Sequence, residues 1–259
     1  IWYHVGSKNE VPGRTGFAHL FEHLMFQRSE NLKGDYLNTL QELGATDLNG
    51  TTFFDRTNYF QTVPKNALDT VLWLESDRMG HFRNAITQPI LDEQRGVVQN
   101  EKRQGDNQPY GKVFEEILKQ LFPPDHPYSW ETIGSMADLN AASLEDVRTW
   151  FETYYGPGNA VLVVAGDVSA EEVFAKAEKY FGDIPPGPPL ARFEEWIPAH
   201  DTVRRKSMPD RVAQPRLYLS WTGPRWGTRD AYHLELASAI LAGDKNSRLY
   251  QRLVYQDQI

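Results

Sequence analysis

His19-Leu20-Phe21-Glu22-His23 sets two imidazoles four positions apart, with a carboxylate three positions after the first. On a helix, residues i and i+4 stand on one face on consecutive turns, so both rings can reach a single ion. Glu22 falls on the same side, beside any water held by that ion. A zinc site of this kind takes three protein ligands and leaves one position for water, whose pKa the metal lowers towards neutrality. Glu22 is then the general base, taking the proton as the water attacks a peptide carbonyl and passing it to the leaving amine. The chain has no cysteine, so any metal must be held by histidine and carboxylate side chains. A lone buried histidine is more often a hydrogen-bonded core residue than a ligand. Two imidazoles and a carboxylate on one face of an apolar helix are a different case, because burying them without a metal or matched partners costs several kcal/mol.

The segment that carries them reads as a helix over residues 15–27. Thr15 is placed to cap it, and Phe17, Leu20, Phe21, Leu24 and Met25 recur at helical spacing. Apolar residues surround it on nearly all sides, so it is expected to be buried. Residues 34–43 read as a second helix ended by Gly44, and 45–54 and 57–63 as two β-rich runs joined at Asp55-Arg56 like a hairpin. Helices are expected over 66–82, 91–104 and 110–121. Ser143-Leu144-Glu145-Asp146 has the form of a capping box and opens another. The Val-rich run 160–165 is expected to be a buried strand and 170–181 a helix. Pro185-Pro186-Gly187-Pro188-Pro189 is too proline-rich for an element interior and reads as a linker. Beyond it, 202–206 and 216–221 read as strands, and 230–241 and 247–255 as helices.

Composition narrows the function. Forty per cent hydrophobic and 24% charged residues describe an ordinary globular chain, and 259 residues are enough for a sizeable core. A net charge of −8 with dispersed basic residues argues against a general nucleic-acid binder, since phosphate binding draws on clustered Lys and Arg. The longest basic cluster, Arg204-Arg205-Lys206, reads as a solvated strand edge. No apolar run approaches the roughly 20 residues of a membrane span.

H-x-x-E-H is the inverted zincin motif, and the chain resembles the insulinase, pitrilysin and mitochondrial-processing-peptidase family. The likeness extends to Val5-Gly6-Ser7-Lys8-Asn9-Glu10, Thr15-Gly16-Phe17-Ala18 and Asp47-Leu48-Asn49-Gly50-Thr51-Thr52. His126-Pro127-Tyr128, Thr132-Ile133-Gly134 and Ser247-Arg248-Leu249-Tyr250 continue it in the family's order. The resemblance implies a zinc-dependent endopeptidase with one Zn2+ per chain, held by His19, His23 and a Glu on a later helix. Glu101, 78 positions beyond His23 and closing Val97-Val98-Gln99-Asn100-Glu101, matches that segment; Glu93 is the nearby rival. The acid that usually orients the ligands from seven places earlier falls on Gln94, a departure from the family that leaves Gln94, neighbouring Glu93 or neither for that role. Asn49, Gly50 and Thr51 match the family's edge strand, on which an extended substrate pairs by backbone hydrogen bonds. Gly50 stands where alanine is more common.

By the same resemblance the fold is expected to be α+β, a mainly antiparallel sheet with helices packed on one face, in two related domains. The expected division is a zinc-binding peptidase domain over 1–184, a linker over 185–201, and the start of a second, incomplete homologous domain over 202–259. Family members close a chamber from two such halves, in one chain or as a dimer. The partners implied are therefore a peptide or unfolded polypeptide and a second homologous half, with no nucleic acid and no membrane span in this segment. Bacterial relatives of this style are commonly exported, which makes the periplasm or another extracytoplasmic compartment the expected location. Two other readings stand beside the endopeptidase: a non-catalytic core or scaffold subunit of a two-half assembly, and an unrelated metal-dependent hydrolase sharing the five residues.

Overall fold

The computed structural model describes residues 1–259. Its strands are β1 (Trp2–Tyr3), β2 (Thr46–Thr52), β3 (Thr57–Thr62) and β4 (Ala160–Val161), joined in one antiparallel sheet of order β2-β3-β1-β4. Nine α-helices accompany them: α1 (Phe17–Leu24), α2 (Tyr36–Glu42), α3 (Leu68–Gly80), α4 (Gln88–Asn107), α5 (Val113–Leu121), α6 (Met136–Ala141), α7 (Leu144–Tyr154), α8 (Ala170–Phe181) and α9 (Arg229–Ala242). The class is α+β, as expected. No helix is long and apolar enough to cross a membrane.

The chain forms two compact units, one of Ile1–Arg192 with Ser207–Gln214 and one of Phe193–Lys206 with Pro215–Ile259. In the first, α1 lies at the centre of the core. Leu20, Phe21 and Leu24 are fully buried among Tyr3, Val5, Tyr59, Phe82, Leu91, Val98 and Tyr155. Each such side chain contributes about 1.5–3 kcal/mol through burial, which fixes the rotation of α1 about its axis and with it the direction of the histidines.

The start of α1 departs from expectation. Thr15 does not cap it; its hydroxyl donates to Asp138 Oδ2 (2.6 Å) and accepts from the Ser135 amide (3.1 Å). Gly16 is the N-cap residue, at φ +84°, a left-handed conformation that glycine adopts without a Cβ penalty. A Cβ there would also lie 2.5 Å from the Ile133 carbonyl oxygen. The free amides of the first turn are taken up by Glu10, whose carboxylate accepts from Gly16 N (3.0 Å), Ala18 N (2.8 Å) and Trp130 Nε1 (3.0 Å). Ser143 does close the expected capping box with Asp146. At α6, a helix the periodicity did not announce, Ser135 accepts from Asp138 N (3.1 Å).

Three strand expectations fail. Of residues 160–165 only Ala160 and Val161 enter the ladder, because their partner β1 has two residues to pair with. Val161 and Val163 are 60% and 65% exposed, so the run is not buried. Residues 202–206 and 216–221 enter no sheet. Leu217 is 84% and Trp221 73% exposed, and a strand without a neighbour has neither ladder nor covered face to stabilise it. The second unit keeps α9, capped by Thr228, and a π-helical turn over Tyr250–Gln256.

Candidate metal centre

Helices α1 and α4 pack together, and α1 also packs on β2. Between the two helices His19, His23 and Glu101 bring one nitrogen or oxygen each within 4.8 Å of the others. His19 Nε2 lies 3.8 Å and His23 Nε2 3.6 Å from Glu101 Oε2, and the two rings stand nearly perpendicular with centroids 4.8 Å apart. Burial holds both imidazoles below the usual histidine range: His19 is lowered to about 4 by desolvation and then by the neighbouring His23. His23 is also lowered by desolvation, against the opposing pull of Glu101 and Gln94. At neutral pH the rings are therefore uncharged, and three lone pairs converge with no charged imidazolium between them.

That donor set fits a zinc ion. Bonds of about 2.0–2.2 Å in a tetrahedron put ligand atoms about 3.3–3.6 Å apart, close to the 3.8 and 3.6 Å from Glu101 to the two histidines. His19 Nδ1 is buried without a hydrogen-bond partner, so no side chain or carbonyl fixes this ring from behind its Nε2. Glu101 is half exposed, which leaves the cluster open towards solvent.

Glu22 lies one residue from His23 on α1 and is itself buried. Its carboxyl is raised from 4.5 to about 7, chiefly by desolvation, with the Glu101 charge adding and the Thr52 hydrogen bond and Arg56 opposing. Thr52 Oγ1 donates to Glu22 Oε2 at 2.5 Å.

Of the two candidates for orienting the metal-site residues, Gln94 is the one on their side of α4. It sits seven residues before Glu101, about 20° short of two helical turns, so both project from one face of α4. Gln94 is buried, and its side chain acts on His23, favouring the protonated ring against desolvation. Glu93 is eight residues before Glu101, roughly 80° round the helix, and is exposed to solvent. It meets neither histidine, which corrects the expectation that it could share this role.

Asn49, Gly50 and Thr51 lie on β2, the edge strand of the sheet. Asn49 Oδ1 accepts from Gly50 N (2.9 Å), and Arg56 Nη1 donates to the Thr51 carbonyl (2.9 Å) and to the Thr51 hydroxyl. Gly50 is buried against the centre: a Cβ there would fall 2.8 Å from Phe26 Cε2 and 3.1 Å from Glu22 Cγ. Sequence reasoning passed over two residues of this neighbourhood. Thr52 directly follows the strand residues singled out, and period-2 alternation puts it on the face of Gly50. Glu10 gives no comparable signal, because nothing local says that it folds back under α1.

Residues 1–129 match the family model described as insulinase (peptidase family M16), and residues 141–259 the one described as peptidase M16 inactive domain. A zinc protease PqqE of Helicobacter pylori is 31% identical over 263 residues, covering 98% of this chain and 57% of the relative. The mitochondrial-processing peptidase subunit beta of Blastocladiella emersonii is 26% identical over 249 residues, covering 93% and 51%. The chain thus spans a little over half the length of these curated relatives. Among solved structures, a protease from Helicobacter pylori superposes with a TM-score of 0.79 at 28% identity, covering 99% of this chain and 62% of that one. A peptidase M16 inactive domain from Pseudomonas fluorescens shares the fold with a TM-score of 0.79 at 18% identity, covering 100% and 62%.

Proposed function

Because this chain belongs to the insulinase (peptidase M16) family, we propose that it is the zinc-binding part of an endopeptidase that cleaves peptides or unfolded protein segments. The observation that carries the reading is the convergence of His19, His23 and Glu101 beside a buried carboxyl, Glu22, raised to about 7. His19 Nε2, His23 Nε2 and a Glu101 oxygen hold one Zn2+. That ion supplies Lewis acidity and makes water a nucleophile near neutral pH. Glu22, buried beside these ligands, takes a proton from the attacking water and returns it to the departing amine. Gln94 orients the His23 ring. Asn49, Gly50 and Thr51 seat the substrate in extended form by main-chain hydrogen bonds, which gives affinity with limited sequence preference.

The reading includes a domain division at the proline-rich stretch, with residues 1–184 as the peptidase domain and 202–259 opening a homologous one after the 185–201 linker. A second homologous half, in cis or from another subunit, completes the substrate chamber. Support comes from the share of the relatives' length that the chain covers. An extracytoplasmic location belongs to the same reading, and fractionation of the source cells checks it.

The test combines metal analysis with cleavage of an unstructured peptide. Residues 1–259 are expected to hold one zinc and to cleave poorly until the second half is supplied. In the complete assembly Glu22→Gln keeps the zinc and loses turnover. No retained zinc in the wild type, or undiminished turnover in Glu22→Gln, defeats the reading. A second reading, a non-catalytic scaffold subunit, is favoured by the inactive-domain match of residues 141–259. It is the one supported if zinc is held and the assembled wild type never cleaves.

A further inference from the structure

We infer that Thr52 is a positioning residue that holds the Glu22 carboxylate from the same strand on which the peptide pairs, an inference that rests on the peptidase reading above. In an antiparallel ladder, hydrogen-bonded and non-hydrogen-bonded pairs alternate. Phe53 N donates to Arg56 O at 2.9 Å, so Phe53 and Arg56 form a hydrogen-bonded pair at the hairpin end. Counting back through the register makes Thr52↔Thr57 and Gly50↔Tyr59 non-hydrogen-bonded pairs. The far side of β3 agrees: Thr57 is the ladder partner of Tyr3, and Tyr59 N donates to Ile1 O at 2.9 Å. The main-chain groups of Gly50 and Thr52 therefore point away from β3, along an edge that no strand of the chain occupies. The Gly50 N–H is already taken up by Asn49 Oδ1, which leaves Thr52 as the residue presenting both main-chain groups to that edge.

The Thr52 side chain turns towards α1, where its hydroxyl donates to Glu22 Oε2 at 2.5 Å. One residue thus offers its backbone to a docked strand and its hydroxyl to the carboxylate that moves protons. A glutamate has three side-chain torsions, and the bond from Thr52 removes most of that freedom by holding one oxygen, leaving the other to exchange the proton. Gly50 supports the arrangement from the same face, since the space its missing Cβ leaves is filled by Phe26 and Glu22 Cγ. A hydroxyl bond to a carboxylate is charge-assisted and stronger than a neutral one, so losing it is felt in the reacting group before the fold.

Thr52→Val, Thr52→Ser and Glu22→Gln, alone and with Thr52→Val and Glu22→Gln combined, are to be made in the intact, zinc-loaded protein. With an unstructured peptide, Thr52→Val is expected to lower kcat about 10- to 100-fold, the range for a hydrogen bond to a charged group, with KM and zinc stoichiometry nearly unchanged. Thr52→Ser restores most of the rate, and Thr52→Val adds no loss to Glu22→Gln. A loss of zinc, a change confined to KM, no rescue by serine, or an equal further loss in the Glu22→Gln background overturns the assignment. Urea unfolding of the metal-free variants gives a readout without turnover: the midpoint shifts of the two substitutions are expected to be non-additive, and additivity overturns the contact. If the wild type neither holds zinc nor cleaves, the peptidase reading falls, while the unfolding cycle still decides for or against Thr52.

Discussion

The Glu10 carboxylate accepts the Ala18 amide at 2.8 Å and so closes the first turn of α1 from a residue eight positions upstream. The helix that bears His19, Glu22 and His23 is held at its start by a buried side chain from the preceding loop. Glu10→Ala leaves the Gly16 and Ala18 amides and the Trp130 indole N–H without their acceptor, each at about 1–3 kcal/mol. The expected loss is roughly 3 kcal/mol or more in urea unfolding, and Glu10→Gln, which keeps one acceptor oxygen, is expected to fall between the two.

The same residue sets a pH dependence. Burial raises the Glu10 carboxyl from 4.5 to about 8 and the Glu22 carboxyl from 4.5 to about 7. Between those limits the folded chain keeps protons that the unfolded chain has released. Stability of the metal-free protein is therefore fully present below about pH 4.5 as far as these groups are concerned, and falls as pH rises towards 8. Unfolding free energies across that window are expected to slope downwards, less steeply in Glu10→Gln and in Glu22→Gln.

Gln94 acts on the His23 ring from the face of α4 that also carries Glu101. Gln94→Ala is expected to weaken zinc binding about 10- to 100-fold, as read by competition with a chromophoric chelator, with little change in unfolding of the metal-free chain. Glu93→Ala, on an exposed residue, is expected to leave zinc affinity unchanged.

A Cβ at Gly50 has no room beside Phe26 and Glu22. Gly50→Ala is expected to cost about 1–3 kcal/mol through overpacking. Adding Phe26→Leu is expected to return part of that loss, and additive midpoints in a thermal melt would refute the steric account.

Arg78 and Glu75 form a bidentate ion pair, Nε to Oε2 at 2.8 Å and Nη2 to Oε1 at 2.6 Å, both side chains nearly fully buried. The guanidinium is stacked between Tyr36 and Tyr59, 4.3 Å from each ring, and Gln61 donates to Glu75 at 2.9 Å. Arg78→Met strands a carboxylate in the core and is expected to cost about 3–5 kcal/mol in urea unfolding. Pairing it with Glu75→Leu is expected to recover much of the loss, since apolar replacement of both partners removes the stranded charge.

What was legible in the sequence follows from which forces act locally. Helical period and capping chemistry are local, so α1, α3, α4, α7 and α8 appear where the residues place them, within a few positions at their ends. Two histidines and a glutamate within five residues announce a shared face for the same reason. Glu101 became visible only through likeness to other sequences, because its meeting with α1 is decided by packing. Strands depend on partners: the apolar runs 160–165 and 216–221 have strand composition, yet the first has two rungs and the second none. Thr15 looked like a cap because its type suits one, but its hydroxyl is drawn off by Asp138 and Glu10 fills the place. Such choices between neighbours in space leave no trace along the chain.

The three converging donors come from helices far apart in the chain, with 78 positions separating His23 from Glu101. An ion seated among them is a reversible cross-link. In the chain-entropy relation used for disulfides, closing a loop of that length disfavours the open chain by roughly 4 to 5 kcal/mol. Chelation would then cut a staple, and the metal-free chain is expected to unfold at lower urea than the loaded one.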